Sequence, residues 1–174
     1  NGNKEYEEYY INGKCNNDSG PAYIGYYENG NKKYEVYYIN GKRHNPSGPA
    51  RIGYYENGNK KYESYYIDNK WHNDSGPTRI EYYENGNILL EIWFNKDDKR
   101  HRDGDQPAVI RGDGSQEWWK DGKQHREGDK PAVIRVNGDQ FWYKDGKRHR
   151  DNDLPAVIMA NGKEEFWTNG IKVK

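Results

Sequence analysis

A single cysteine, Cys15, rules out an internal disulfide framework. Nor is there any apolar run approaching the ~20 residues that a membrane-spanning helix requires. Charge of one sign is missing too. Lys plus Arg and Asp plus Glu stand at 28 each, so the basic excess on which phosphate neutralisation depends is absent, and nucleic acid is not an expected partner. Aliphatic residues are scarce: 32% of the chain is apolar and 32% charged, with a mean hydropathy of −1.44, a balance that by itself suggests disorder.

Aromatic residues point the other way. Seventeen Tyr, six Trp and three Phe make up 15% of the chain, more aromatic area than a disordered segment carries. A folded protein with a thin, aromatic core is expected.

The sequence repeats itself. "GPAYIGYYENGNKKYEVYYINGKRHNPS" and "GPARIGYYENGNKKYESYYIDNKWHNDS" match at a period of 28 residues, marked by Pro21, Pro49 and Pro77. Pro107, Pro131 and Pro155 are then 24 apart, in copies such as "KPAVIRVNGDQFWYKDGKRHRDND". Six copies are visible, and Cys15 falls at a position later held by Arg43 and Trp71. Counting within a unit locates the change. Pro to the next turn Gly shortens from nine residues to seven, Gly to His from fourteen to eleven, and His to Pro lengthens from five to six. The array divides into residues 1–86 with the 28-residue period, a junction at 87–101, "NILLEIWFNKDDKRH", and residues 102–174 with the 24-residue period.

Each unit reads as two strands, such as "ARIGYYE" and "KKYEVYYI", bounded by Gly-Pro and Asn-Gly. The Asn-Gly between them predicts a type I′ hairpin. Gly or Pro every few residues, with aromatic and β-branched residues in the gaps, argues against helix. The expected fold is all-β: an elongated, single-layer antiparallel meander of tandem two-strand hairpin repeats. Alternation places Tyr34, Val36 and Tyr38 on one face and Glu35 and Tyr37 on the other.

These residues resemble the MORN repeat, particularly the MORN-variant arrays of bacterial and large-virus proteins. Trp142, Asp145, Gly146, Lys147, His149 and Gly162 carry the agreement, and it extends over essentially the whole chain. Arg126 and Arg150 depart from it by replacing the Gly after His, as does the Pro-Ala that opens a strand. The resemblance implies a β-meander used for protein contacts, membrane-proximal scaffolding or self-assembly.

No catalytic constellation escapes the repeat. His44, His72, His101, His125 and His149 share one repeat position, so neighbours should lie two strand spacings, roughly 9.5 Å, apart. Zinc ligands must come within ~4 Å of each other, and a loop histidine hydrogen-bonded to a turn is the preferred reading. Lys99, Arg100, Arg102, Arg126, Lys147, Arg148 and Arg150 form a basic stripe beside Asp103, Asp105, Glu127, Asp129, Asp151 and Asp153. A salt-bridged loop edge is preferred there to a phosphate-binding surface.

A non-catalytic structural or interaction module is therefore expected, with no cofactor. Its partner would be another protein or another copy of itself. The candidate interaction rows are Tyr37, Tyr38, Tyr65 and Tyr66 in the early copies and Trp118, Trp119, Trp142, Tyr143 and Trp167 in the late ones. As an alternative, the same rings could stack on a glycan at a cell surface, and a second alternative gives the basic stripe a lipid headgroup. Glu5, Glu7 and Glu8 charge the opening strand and Lys172 and Lys174 the closing one. Opposite charges at the two edges would favour head-to-tail assembly into a filament.

Overall fold

A computed structural model describes residues 4–174. Among them there is no helix, and the chain is all-β. The residues form two compact units: one runs to Leu89 and includes Lys96–Asp98, and the other comprises Leu90–Asn95 and Lys99–Lys174. Both boundaries fall within the junction between the two repeat formats.

Thirteen of the described strands follow one another as an antiparallel meander. In the first unit these are Tyr6–Glu8, Tyr23–Tyr26, Lys32–Val36, Arg51–Tyr54, Lys60–Ser64 and Arg79–Tyr82. Ile88–Ile92 carries the boundary. The second unit continues with Val109–Arg111, Gln116–Glu117, Val133–Ile134, Gln140–Phe141, Val157–Ile158 and Glu164–Glu165.

A repeat contains four strands rather than the two expected from sequence. The segment that reads as one strand, "KKYEVYYI", breaks at Tyr37, and Tyr38–Ile39 pairs with Lys42–Arg43 in a separate small hairpin. The break is local. Tyr37 N–H donates to Ala50 O while Tyr37 O accepts from His44 N–H, so both of its backbone groups are satisfied as the chain leaves the meander. Equivalent hairpins are Tyr10–Ile11 with Lys14–Cys15, Tyr66–Ile67 with Lys70–Trp71, Trp119–Lys120 with Lys123–Gln124, Tyr143–Lys144 with Lys147–Arg148, and Trp167–Thr168 with Ile171–Lys172.

The type I′ turn belongs to this small hairpin, not to the Asn-Gly between the long strands. Asn40 and Gly41 both have positive φ, 52° and 77°, as do Asp145 and Gly146 at 50° and 82°. At the other Asn-Gly only Gly30 is positive, at 86°. There Gly30 N–H donates to Tyr27 O and Tyr27 N–H to Asn31 O, a type I turn closed by a left-handed glycine.

Register accounts for both periods. In the long format Tyr23, Ile24 and Gly25 face Val36, Glu35 and Tyr34, after which Tyr26 faces Lys32 and Lys33 is left as a bulge. The short format keeps only the first two pairs, as in Val109 with Glu117 and Ile110 with Gln116. Two residues are lost from one strand and three from the other.

The core follows the repeat. Ala22, Ala50, Ala108, Ala132 and Ala156 are fully buried at one repeat position, which Thr78 fills in the third copy. Val109, Val133 and Val157 are buried beside them in the second unit, and Ile24, Val36 and Ile52 in the first.

Candidate functional site

The expected aromatic rows occupy two repeat positions with different surroundings. Tyr37, Tyr65, Trp118 and Trp142 form the first row, and each donates its backbone N–H to the carbonyl of the next Pro-Ala or Pro-Thr step, at Ala50, Thr78, Ala132 and Ala156. Trp118 and Trp142 are buried, whereas Tyr37 and Tyr65 are half-buried. Burial pushes both tyrosine hydroxyls above their usual pKa. Trp93 belongs to this row as well, and sequence reasoning missed it because it lies in the junction.

Arginine covers the indoles of this row. The guanidinium carbon of Arg102 lies 3.8 Å from the Trp93 ring centre, that of Arg126 3.7 Å from Trp118, and that of Arg150 4.0 Å from Trp142. The same side chains donate to the Pro107, Pro131 and Pro155 carbonyls at 3.2–3.3 Å. In the long format Asn17, Asn45 and Asn73 take over that task, donating Nδ2 to Pro21, Pro49 and Pro77 at 2.7–3.0 Å. The acceptor is four residues beyond the asparagine and five beyond the arginine, which is the residue gained between His and Pro.

Carboxylates of the preceding unit complete the stripe. Asp105 takes two bonds from Arg126 and one from Lys130, and Asp129 takes two from Arg150. Arg126 and then Lys130 hold Asp105 far below the ordinary carboxylate range, and Arg150 holds Asp129 low. Both guanidiniums are largely covered, with 14% of the side chain exposed.

The second row comprises Tyr38, Tyr66, Trp119, Tyr143 and Trp167. Tyr66 is buried between Trp71, with ring centres 4.2 Å apart, and the Arg43 guanidinium at 4.2 Å. Trp119 lies under Arg100 at 4.8 Å and Trp167 under Arg148 at 5.0 Å. Their indole N–H groups donate to Glu117 and Glu165 at 3.1 Å. Tyr38 and Tyr143 are half-buried.

Three of the five histidines hold the hairpin turn of the following unit. Asp121, Asp145 and Asn169 donate their backbone N–H to Nδ1 of His101, His125 and His149 at 3.1–3.3 Å. His44 Nδ1 lies 3.1 Å from Asp68, and His72 Nε2 lies 3.4 Å from Asp74. Among the described residues no three His, Cys, Asp or Glu side chains are grouped to hold a metal ion.

A row of carboxylates in the first unit also escaped the sequence reading. Glu35 and Glu63 are buried, and each accepts from a lysine three residues earlier and from a tyrosine of the next copy: Lys32 with Tyr54, and Lys60 with Tyr82. Glu7 stands at the same position and accepts from Lys4, Tyr9 and Tyr26. It is committed internally and is not a free edge charge. Glu8 accepts from Tyr10, and Glu5 offers its backbone carbonyl to Tyr26.

Lys172 and Lys174 are not on the last strand of the meander. That strand is Glu164–Glu165; Lys172 lies in the small hairpin and pairs with Glu165 at 3.0 Å, and Lys174 sits 5.4 Å from the Phe166 ring centre. The first and last described meander strands therefore both carry glutamates, which removes the opposite-charge argument for head-to-tail pairing of these edges.

Two clefts of about 230 and 310 Å³ recur one repeat apart along the stripe. Trp118 and Arg126 line one, and Trp142 and Arg150 line the other. Among the described residues no helix is long and apolar enough to cross a membrane. No family model and no curated protein matches the chain.

Proposed function

We propose that the chain is a non-catalytic protein-interaction module, a scaffold of MORN-like hairpin repeats that offers a partner the same side chains at regular intervals. One observation carries this reading: a cleft lined by Trp118, Arg126 and the exposed Asp105 recurs one repeat later, lined by Trp142, Arg150 and the exposed Asp129. Catalysis needs dissimilar groups converging in one pocket, whereas these groups are duplicated, with each guanidinium stacked on its ring and paired with its aspartate.

The residues behind the MORN resemblance have structural tasks that support the same reading. Asp145 and Gly146 make the type I′ turn, and His149 holds the turn that follows. A glycan-binding role would require open ring faces, and arginine lies over Trp118, Trp119, Trp142 and Trp167.

Hydrogen exchange of the chain with and without a protein captured stoichiometrically from its source cells tests the proposal. Protection spread over equivalent positions of at least two successive repeats is expected. A glycan array with specific hits and no stoichiometric protein partner would overturn it.

A further inference from the structure

One face of the first unit carries cations that no carboxylate of the described residues pairs with. Tyr23, Val36 and Arg51 lie side by side on three neighbouring strands. With Tyr34, Tyr38 and Arg43 they line a groove of about 270 Å³. The rings of Tyr6, Tyr23 and Tyr34 are stacked, with centres 6.1 and 5.4 Å apart.

Arg51 lies 5.1 Å from the Tyr62 ring centre and Arg43 4.2 Å from that of Tyr66. Arg43 also reaches the Asn69 amide oxygen at 3.4 Å. Among the described residues neither arginine is paired with a carboxylate, whereas Arg126 and Arg150 each hold an aspartate.

The next repeat shows what is missing. Arg79 stands where Arg51 stands one copy earlier, and it too lies over Tyr62, at 5.1 Å. Arg79 Nε is bonded to Glu81 at 2.8 Å. The position equivalent to Glu81 is Gly53, which has no side chain to offer. Arg79 thus has a carboxylate built in at its Nε, while the exposed Arg51 presents its guanidinium to solvent. A planar guanidinium binds a carboxylate through two parallel hydrogen bonds, and the tyrosine rings provide apolar walls with hydroxyl rims.

From this we infer that the groove binds an acidic segment of a partner protein, with Arg51 taking a glutamate or aspartate carboxylate as Arg79 takes Glu81, and Arg43 supporting it from the groove wall. This rests on the interaction-module reading and assigns it a surface. Carboxylate is favoured over phosphate because the chain supplies a carboxylate, Glu81, at the equivalent place in the third copy.

The test is fluorescence anisotropy of the full chain with a labelled eight-residue peptide of alternating Glu and Tyr. The Gln-Tyr version, a phosphotyrosine version and vesicles containing phosphatidylserine are compared with it. Saturable binding of the Glu peptide is expected, weakening as salt rises and falling about tenfold in Arg51→Gln, with loss of a charge-assisted bond. Arg43→Gln should fall as well, and both variants should keep the circular dichroism of the parent.

Equal binding of the Gln peptide, unchanged binding in both variants, or preference for the phosphopeptide or the vesicles would overturn the proposal. So would sedimentation showing that Arg51 holds two copies of the chain together. Unchanged binding in the arginine variants would leave the interaction-module reading intact. That reading fails separately, if hydrogen exchange finds no protein partner.

Discussion

Arg150 covers Trp142: its guanidinium carbon lies 4.0 Å from the ring centre while Nη1 reaches the Pro155 carbonyl at 3.2 Å. One side chain thereby closes the indole, satisfies a carbonyl beside the fully buried Ala156, and holds Asp129 of the preceding unit. The array is joined by many such short links. In the first unit the corresponding link is Asn45, which reaches the Pro49 carbonyl at 3.0 Å.

Arg150→Ala should lower stability by about 2 kcal/mol in urea denaturation, combining a lost cation–π contact with a buried carbonyl left without its donor. Arg150→Asn should do no better, because an asparagine spans four residues to its carbonyl and this loop has five. Replacing residues 150–154 with the four-residue Asn-Asp-Ser-Gly of Asn73–Gly76 should recover part of the loss. If the single Asn variant recovers as much, loop length and donor are not coupled.

Gly53 is required for space, not for its backbone angle. A Cβ there would collide with the Tyr62 ring, and Gly25 stands in the same relation to Tyr34. Gly53→Ala should destabilise the first unit by about 1–3 kcal/mol. Adding Tyr62→Ala should relieve most of the additional penalty, giving a coupling of at least about 1 kcal/mol in a double-mutant cycle. Strictly additive effects would contradict the ring-over-glycine packing.

Much of this architecture was legible from repeats and turn residues, and the period arithmetic proved to have a physical basis. The five residues lost on passing to the short format are Gly25, Tyr26, Lys32, Lys33 and Tyr34 in first-copy terms, two cross-strand pairs and a bulge. The residue gained accommodates arginine in place of asparagine. The small hairpins were not legible, since two residues per strand give no periodicity and "YYI" continues a strand pattern unbroken. Nor could sequence say which Asn-Gly has both residues at positive φ. Both pairs read alike, and the difference lies in whether Tyr27 closes its turn on Asn31. The aromatic rows and the salt-bridged edge are legible in the sequence, whereas the arginines lying over the rings are not, because a stacking contact joins residues such as Trp118 and Arg126 across a turn.

Glu7 and Tyr26 should mark stability at both ends of the pH scale. Hydrogen bonds from Tyr9, Tyr26 and Lys4 lower the Glu7 carboxyl from 4.5 to about 2, and its bond raises Tyr26 to about 12. The carboxylate contribution is fully present above pH ~4.5 and is lost as pH falls towards 2, because the unfolded state then binds the proton more readily. The phenol contribution is present below pH ~10 and is lost as pH rises towards 12. Tyr26→Phe should flatten the alkaline limb of a urea-midpoint profile, and Glu7→Gln should flatten both. An unchanged acid limb in Glu7→Gln would show that the pair contributes nothing to folding.

Within the second unit's tandem copies, adjacent aromatic positions should differ in exposure. Trp118 and Trp142 are each 6% exposed, whereas Trp119 and Trp167 are half-buried. Acrylamide should quench the emission in two classes, and removing the four half-buried indoles, Trp71, Trp93, Trp119 and Trp167, should leave the poorly quenched class. Trp142→Ala should cost about 3–5 kcal/mol, because it opens a large cavity beside Ala156 and strips Arg150 of its ring. Tyr143→Ala, one residue along and half-buried, should cost under about 1.5 kcal/mol, since its ring is only partly removed from water. Equal losses at 142 and 143 would mean that the two rows are buried alike, and the assignment of Trp142 to the covered row would then be incorrect.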